Sequence, residues 1–412
     1  MLMLFFVFRQ NSKNYYYYPM PKGAKIILIK ENSPFVAINV FIKNLKLLES
    51  RKGLANLSLA MLKAGTAKRS KLQIAAELER IGGELTTSVH NDFALISGFV
   101  LKENIDAYID LLQELILDSA YPRKEFERLK AEIIVELKQQ KEDPLRYAVQ
   151  LNRRRNYQGD WYAYPAAGEI DSLNSIVYAD LVSFNVRDIV FAEDLVVIVN
   201  GNFSKNKVKR SLQDLLNTFK KGTAVVSSSA QINEYPSGLK VEKCGYGLNT
   251  ILYNLSFPND QKGIKHKPLN ELVNSYLGDG LSSPLFKTFR VVRGISYAIG
   301  SFYDFNCRAE LLTVYLQTRE SNYHPLLETL KELLTFKDIP APQSFSKIKN
   351  YALTDYYQNQ QTLRQRGFSA GYRQLNGLPF NYDYAEEIQR IQYKDFCRSL
   401  RSLKPVNTLI VQ

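Results

Sequence analysis

Histidine and cysteine are scarce in this chain. Its 412 residues include three of each. His90, His266 and His324 stand alone, while Cys244, Cys307 and Cys397 are scattered and odd in number. Neither set shows metal-ligand spacing, which excludes a disulfide framework and a His-rich zinc site within the chain. Long apolar runs are also missing. Met1–Phe8 is apolar but short, with no basic n-region and no small-residue cleavage site, and reads as a first strand rather than an export signal. No other run approaches a membrane span. The sparse cysteines fit a reducing or an oxidising compartment, so cytoplasm and periplasm both stay open. The formal net charge is +13, but the basic residues are spread out. The densest spots are Arg153-Arg154-Arg155 and Lys205–Arg210, and the second reads as a helix start with a solvated face. No nucleic-acid reader motif accompanies them, and nucleic acid is not the expected partner.

What is present is core material. Apolar residues make up 45% of the chain and charged residues 23%, a folded composition of two to four domains at about 100–200 residues each. Strand signals open the first half at 25–30 and 36–42, around a turn at Asn32-Ser33-Pro34. The tyrosines at 15–18, followed by Pro19, fit an edge strand or an arm at a contact surface. A helix follows near 53–63. Ser70 and Gln73 form a capping-box pattern for a helix to about 80, ended by Gly82-Gly83. Strands near 84–89 and 92–100 precede helices at 102–118 and 123–141. Val196–Val199 reads as a buried strand stopped by Asn200-Gly201.

The second half repeats this order. Strands at 239–244 and 248–256, helices at 268–278 and 282–292, strands at 295–303 and 309–317, a helix at 324–334 and a long helical region at 344–365 lead to a last strand at 407–411. Residues 221–238 are rich in Ser, Gly, Asn and Pro and read as a linker between an N-terminal domain, 1–220, and a C-terminal domain, 239–412. The chain is thus a coarse internal duplication of α+β class. Each half is a mostly antiparallel sheet with helices on one face.

That plan, with its local motifs, resembles the insulinase/pitrilysin-type zinc peptidases, and within them the bacterial subunits related to the mitochondrial processing peptidase. Members usually carry Gly-Leu-Ala-His-x-x-Glu-His-Met-Leu-x-x-Gly-Thr. Gly53-Leu54-Ala55 and Met61-Leu62-Lys63-Ala64-Gly65-Thr66 match it in register. Asn56 stands at the first His, Leu59 at the Glu and Ala60 at the second His. Two imidazoles four apart on a helix and a carboxylate acting on metal-bound water are what that chemistry needs. Asn, Leu and Ala do not supply them. Glu136 matches the family's third ligand, while Leu129 replaces its supporting acid. The resemblance therefore implies no metal in this chain.

The second half keeps its signature. Leu281–Gly300 is close to the family's second-domain motif, with Arg290 and Tyr297 at the positions of an Arg/Tyr pair that faces the zinc centre across a chamber. In the family this pair holds the substrate backbone and stabilises the oxyanion, a role suited to a guanidinium and a phenol. Catalytic relatives also pair the peptide with the strand that here begins at Thr86-Thr87-Ser88. The resemblance implies one half of a clamshell: a non-catalytic subunit beside a homologous catalytic subunit that carries zinc, acting on unfolded peptides. The alternative is a peptidase-fold scaffold or peptide-binding protein without proteolysis.

Overall fold

The computed structural model describes residues 14–223, 235–292, 294, 296, 298–319, 323–337, 339–379 and 382–412. Met1–Phe8, the middle of the sequence-predicted linker, and Arg293 and Tyr297 of the second signature lie outside the described residues. In chain order the first elements are β1 (Tyr15–Pro19), β2 (Lys25–Lys30), β3 (Phe35–Lys43), α1 (Leu54–Met61), α2 (Lys71–Arg80), β4 (Glu84–Val89) and β5 (Phe93–Leu101). There follow α3 (Ile105–Leu117), α4 (Arg123–Gln140), α5 (Pro144–Asn156), β6 (Leu195–Gly201) and α6 (Lys205–Asn217). The later elements are β7 (Gly238–Glu242), β8 (Asn249–Ser256), α7 (Lys267–Gly278), β9 (Ala298–Asn306), β10 (Ala309–Thr318), α8 (His324–Leu333), α9 (Pro342–Gln358), α10 (Leu363–Leu375), α11 (Tyr384–Arg390), α12 (Tyr393–Ser402) and β11 (Lys404–Val411).

The fold is α+β with two sheets, one of six strands in the order β1-β2-β6-β3-β5-β4 and one of five in the order β7-β11-β8-β10-β9. Removing β1 leaves the same plan twice. Each sheet has one parallel pair, β2 with β6 and β7 with β11, in otherwise antiparallel company. Even a rare backbone feature repeats: Tyr121 and Phe336 hold positive φ, 45° and 51°, at matching points after α3 and α8.

Local chemistry explains the boundaries. Ser70 Oγ accepts from the Gln73 amide while the Gln73 side chain accepts from the Ser70 amide at 2.8 Å, the reciprocal box that starts α2. Gly82, at φ 60°, then turns the chain into β4. The region 344–365 is not one helix. It stops after Gln358, and Thr362 and Gln365 form a second capping box that starts α10.

Contacts divide the chain into two interleaved units. The first holds residues 1–130, 172–226 and 359–382, and the second 131–171, 227–358 and 383–412. The first unit thus takes α10 from late in the chain, and the second takes α5 from early in it. In the first, α10 lies on the sheet face formed by Ile27, Ile29, Phe41, Phe93, Leu95, Val196 and Ile198. The alternate residues Ile26, Leu28, Ile38, Val40, Val197 and Val199 are buried too, so this sheet is covered on both faces. In the second unit, α5 packs through Ala148 on Leu252, Leu409 and Val411. The opposite face, with Ile251, Tyr253, Leu255, Val314 and Ile410, joins Leu272, Leu327, Phe345 and Phe396 of the neighbouring helices in the main core.

A buried polar knot fixes each of these two helices. Ser97 donates to Asn39 at 2.7 Å, and Asn39 donates to the backbone carbonyl of Arg364 at the start of α10. In the second unit Thr313 donates to Asn254 at 2.8 Å, and Asn254 exchanges amide hydrogen bonds with Asn152 of α5 at 2.8 and 2.9 Å. Asn407 joins by accepting from Asn254 and donating to Asn156 at 2.7 Å. Buried amides bonded in this way add directionality that an apolar contact lacks.

Candidate functional site

Helix α1 is firmly held. Gly53 takes the left-handed conformation at its N-cap, φ 99°, and Glu49 Oε2 accepts from the Gly53 and Ala55 amides at 3.1 and 2.9 Å. A carboxylate there also suits the positive end of the helix dipole. Ser58 Oγ donates to the Phe184 carbonyl at 2.9 Å and lies 3.5 Å from the hydroxyl of Tyr121. Arg51 pairs with Asp180 at 3.0 Å. On this fixed helix Asn56 and Ala60 are half-buried at i and i+4, and Leu59 is 1% exposed. Glu136 is exposed on α4 and makes no ion pair among the described residues. An amide, a methyl group and a core leucine do not fit a catalytic zinc. Among the described residues no group of three or more His, Cys, Asp or Glu side chains is placed to hold one metal ion.

Strand β4 forms the outer edge of the six-stranded sheet, and among the described residues its one strand partner is β5. Its far side keeps backbone donors and acceptors for an added strand. Thr86 is exposed and its hydroxyl donates to the Ser97 carbonyl at 3.1 Å, while Thr87 and Ser88 are half-buried. Two residues to which the sequence reading gave no role here, His90 and Lys63, belong to this neighbourhood. His90 Nε2 is 3.1 Å from Ser88 Oγ and its ring stacks on Phe93 at 4.5 Å, with burial pushing its pKa down. The signal was the two-residue spacing from Ser88, which puts both side chains on one face of an extended segment. Lys63, just past α1, donates to the Leu85 carbonyl of β4 at 3.3 Å. Burial first, and Lys71 second, lower its pKa.

The second signature folds differently from an ordinary helix. Ser283 caps a single turn, Pro284–Phe286, which continues as a π-helix over Lys287–Val292. Such wide turns gather at functional sites. Phe289 and Leu285 anchor the segment in the core. Arg290 points outward, with its guanidinium carbon 5.1 Å from the Phe286 ring centre, and makes no ion pair among the described residues. A cation over a ring face is held in place without losing its donors. Gly278 and Gly280 flank Asp279 on the approach, and Gly280 has φ 76°. Asp279 is half-buried, and burial raises its pKa, with the neighbouring charge of Asp355 acting in the same direction.

An open cavity of about 640 Å³ lies elsewhere, between α2 and Glu114. Its guanidinium groups are already paired, Arg69 with Glu114 and Arg80 with Glu77, so it offers little unspent charge.

Family comparison agrees with this construction. The model described as insulinase (peptidase family M16) matches residues 25–164, and that described as peptidase M16 inactive domain matches residues 177–351. A Bacillus subtilis protein described as an uncharacterized zinc protease, YmxG, is 25% identical over 324 residues, 77% of each chain. A Helicobacter pylori protein described as a non-peptidase homolog, also YmxG, is 23% identical over 369 residues, 88% of this chain and 84% of its own. Among solved structures, a peptidase M16 inactive domain from Pseudomonas fluorescens superposes with a TM-score of 0.85 at 18% identity, covering 97% of both chains. A protease from Helicobacter pylori superposes with a TM-score of 0.82 at 14% identity, covering 97% of this chain and 99% of its own. With both halves matched by its models and the fold shared along nearly the whole length, the chain belongs to the insulinase-type peptidase family, M16.

Proposed function

We propose that this chain is the non-catalytic subunit of a two-subunit zinc peptidase. A homologous partner with an intact zinc motif would supply the metal, its ligands and the general base. This chain would supply Arg290 and Tyr297 to the substrate. The observation that carries the reading is the contrast within one chain. The metal positions hold Asn56, Leu59 and Ala60, while Arg290 stands exposed, propped on Phe286 and without an ion pair among the described residues. Its role is to donate to the carbonyl oxygen of the bond under attack as negative charge grows there. Tyr297, placed by the signature alone, would add a phenol donor. Thr86, Thr87 and Ser88, on the open edge of β4, would line a groove for the peptide backbone.

The test is co-purification with a homologue that carries an intact His-x-x-Glu-His motif, followed by peptide hydrolysis with wild-type chain and with Arg290→Ala. Loss of a positioned oxyanion donor lowers kcat by about 10²–10³-fold. Wild-type turnover in the variant complex removes the role. Peptide hydrolysis by this chain alone with added zinc removes the whole reading.

A second reading is a peptide-binding or scaffold protein of the same fold with no part in proteolysis. The Helicobacter pylori relative described as a non-peptidase homolog supports it. A complex that forms but is equally active without this chain would favour it.

A further inference from the structure

The four most exposed large apolar side chains among the described residues are Leu72, Leu281, Val291 and Val292. Three of them fall in the segment that carries Arg290. Leu281 is 75% exposed, Val291 65% and Val292 78%. Scattered surface leucines and valines are ordinary, but two consecutive valines directly after an exposed arginine are not a scatter. Arg290, Val291 and Val292 are consecutive and all exposed at the end of the π-helix, while Phe289 directly before them is buried.

We propose that Val291 and Val292 form a subsite for an aliphatic side chain of the peptide whose backbone Arg290 holds. The proposal rests on the reading of Arg290 given above and names the substrate class: extended peptides with a branched or unbranched aliphatic residue beside the held carbonyl. The occupant follows from adjacency. A subunit interface seated on Val291 and Val292 would bury Arg290 with them and shut it off from substrate. An extended peptide covers the valines with a side chain and meets the guanidinium with a carbonyl oxygen. The mixed character of the patch, one cation beside two aliphatic groups, complements a peptide segment and not an anionic polymer or a charged protein face.

The experiment measures binding of two fluorescein-labelled decapeptides to the full chain by anisotropy. One alternates Leu and Ser, and the other alternates Asn and Ser. Wild-type chain is expected to prefer the Leu peptide by on the order of 10-fold, the scale on which an apolar site discriminates between side chains. The double variant Val291→Asn/Val292→Asn is expected to bring that ratio close to one. Both residues are exposed, so neither change removes core packing, and a circular dichroism melt that matches wild type checks this. Arg290→Ala is expected to weaken both peptides while keeping the preference. Equal binding of the two peptides by wild-type chain, no binding of either, or a preference that survives the double variant each overturns the subsite. Self-association of the chain that the double variant abolishes also overturns it, because the valines are then a subunit contact. These outcomes are separate from turnover of the Arg290→Ala complex, which decides the underlying reading.

Discussion

Gly371 on α10 tests whether a helix from late in the chain is seated tightly on the first sheet. An added Cβ there would lie 2.1 Å from Phe41 Cε2 and 2.6 Å from Cδ2. Carbon atoms pack at about 3.5–4.0 Å, so the ring or the helix must give by about 1.5 Å. Phe41 cannot swing free: it is fully buried, with Phe93 and Phe368 at 5.5 and 5.7 Å between ring centres. Gly367, one turn earlier, is as confined, with its Cβ position 2.4 Å from Asn39 Nδ2. Overpacking of a filled core costs about 1–3 kcal/mol. Replacing a mid-helix glycine by alanine returns about 1 kcal/mol of helix propensity. The net expectation for Gly371→Ala is a loss of up to about 2 kcal/mol. The assay is urea denaturation followed by circular dichroism for Gly371→Ala, Phe41→Leu and the double variant. With the ring gone the alanine should fit, so its cost should vanish or change sign in the Phe41→Leu background. The result that refutes the reasoning is a Gly371→Ala chain more stable than wild type by the full propensity gain, with no coupling to Phe41. That would mean α10 does not sit against β3.

Leu59→Glu is expected to destabilise the chain by several kcal/mol, on the order of an unpaired buried carboxylate, because Leu59 is 1% exposed. Asn56→His/Ala60→His should be tolerated, and a urea midpoint series separates the two. Glu310 is buried and accepts from the Gly263 amide and the Tyr303 hydroxyl, yet burial outweighs these bonds and raises its pKa. A carboxyl raised on folding binds its proton more tightly in the native state. Its contribution to stability therefore falls as pH rises from the ordinary glutamate range through the raised value, and Glu310→Gln should flatten the urea midpoint across that window. Arg308 makes two 2.7 Å hydrogen bonds to Asp160 and lies 4.9 Å over the Tyr162 ring. Arg308→Lys should cost about 1–3 kcal/mol by losing the planar guanidinium that reaches Asp160 and stacks on Tyr162, which a thermal melt would show; an unchanged melt rules it out.

Much of this fold was legible where the signal is local. The buried runs of β2 and β6, the Ser70–Gln73 box and the bounds of β4 at 84–89 follow from adjacent residues. The parts that escaped are those whose packing surface is not apolar. Helix α5 buries Ala148, Asn152 and Asn156, and α10 buries Gly367, Ala370 and Gly371. Neither stripe registers as hydrophobic periodicity, although Asp143 and Pro144 give α5 a regular start. The break after Gln358 escaped for a related reason, since no Gly or Pro marks it and the signal is Thr362 with Gln365. The π-winding of 287–292 is invisible in sequence because six residues do not distinguish a period of 3.6 from a wider one. At the site, residue identities were readable from the frame of the motif. The commitment of Leu59 to the core, and the exposure of Arg290 with two valines beside it, required the structure.

That difference between the two segments bears on what each is for. Helix α1 contributes to its own fold. Glu49 caps it, Ser58 ties it to Phe184, and Leu59, where the family motif is expected to carry a Glu, packs in the core. These contacts stabilise the unit that contains the helix. The segment from Arg290 to Val292 has no such account. It leaves a guanidinium without an ion pair among the described residues and two large apolar side chains in water, and only Phe289 and Leu285 beneath it add to the core. Exposed aliphatic surface gains nothing for an isolated chain and raises its tendency to associate. A feature that contributes nothing to the stability of its own chain acquires a physical rationale from whatever binds there, and at this turn the chemistry on offer is a donor for a carbonyl oxygen next to a place for an aliphatic side chain.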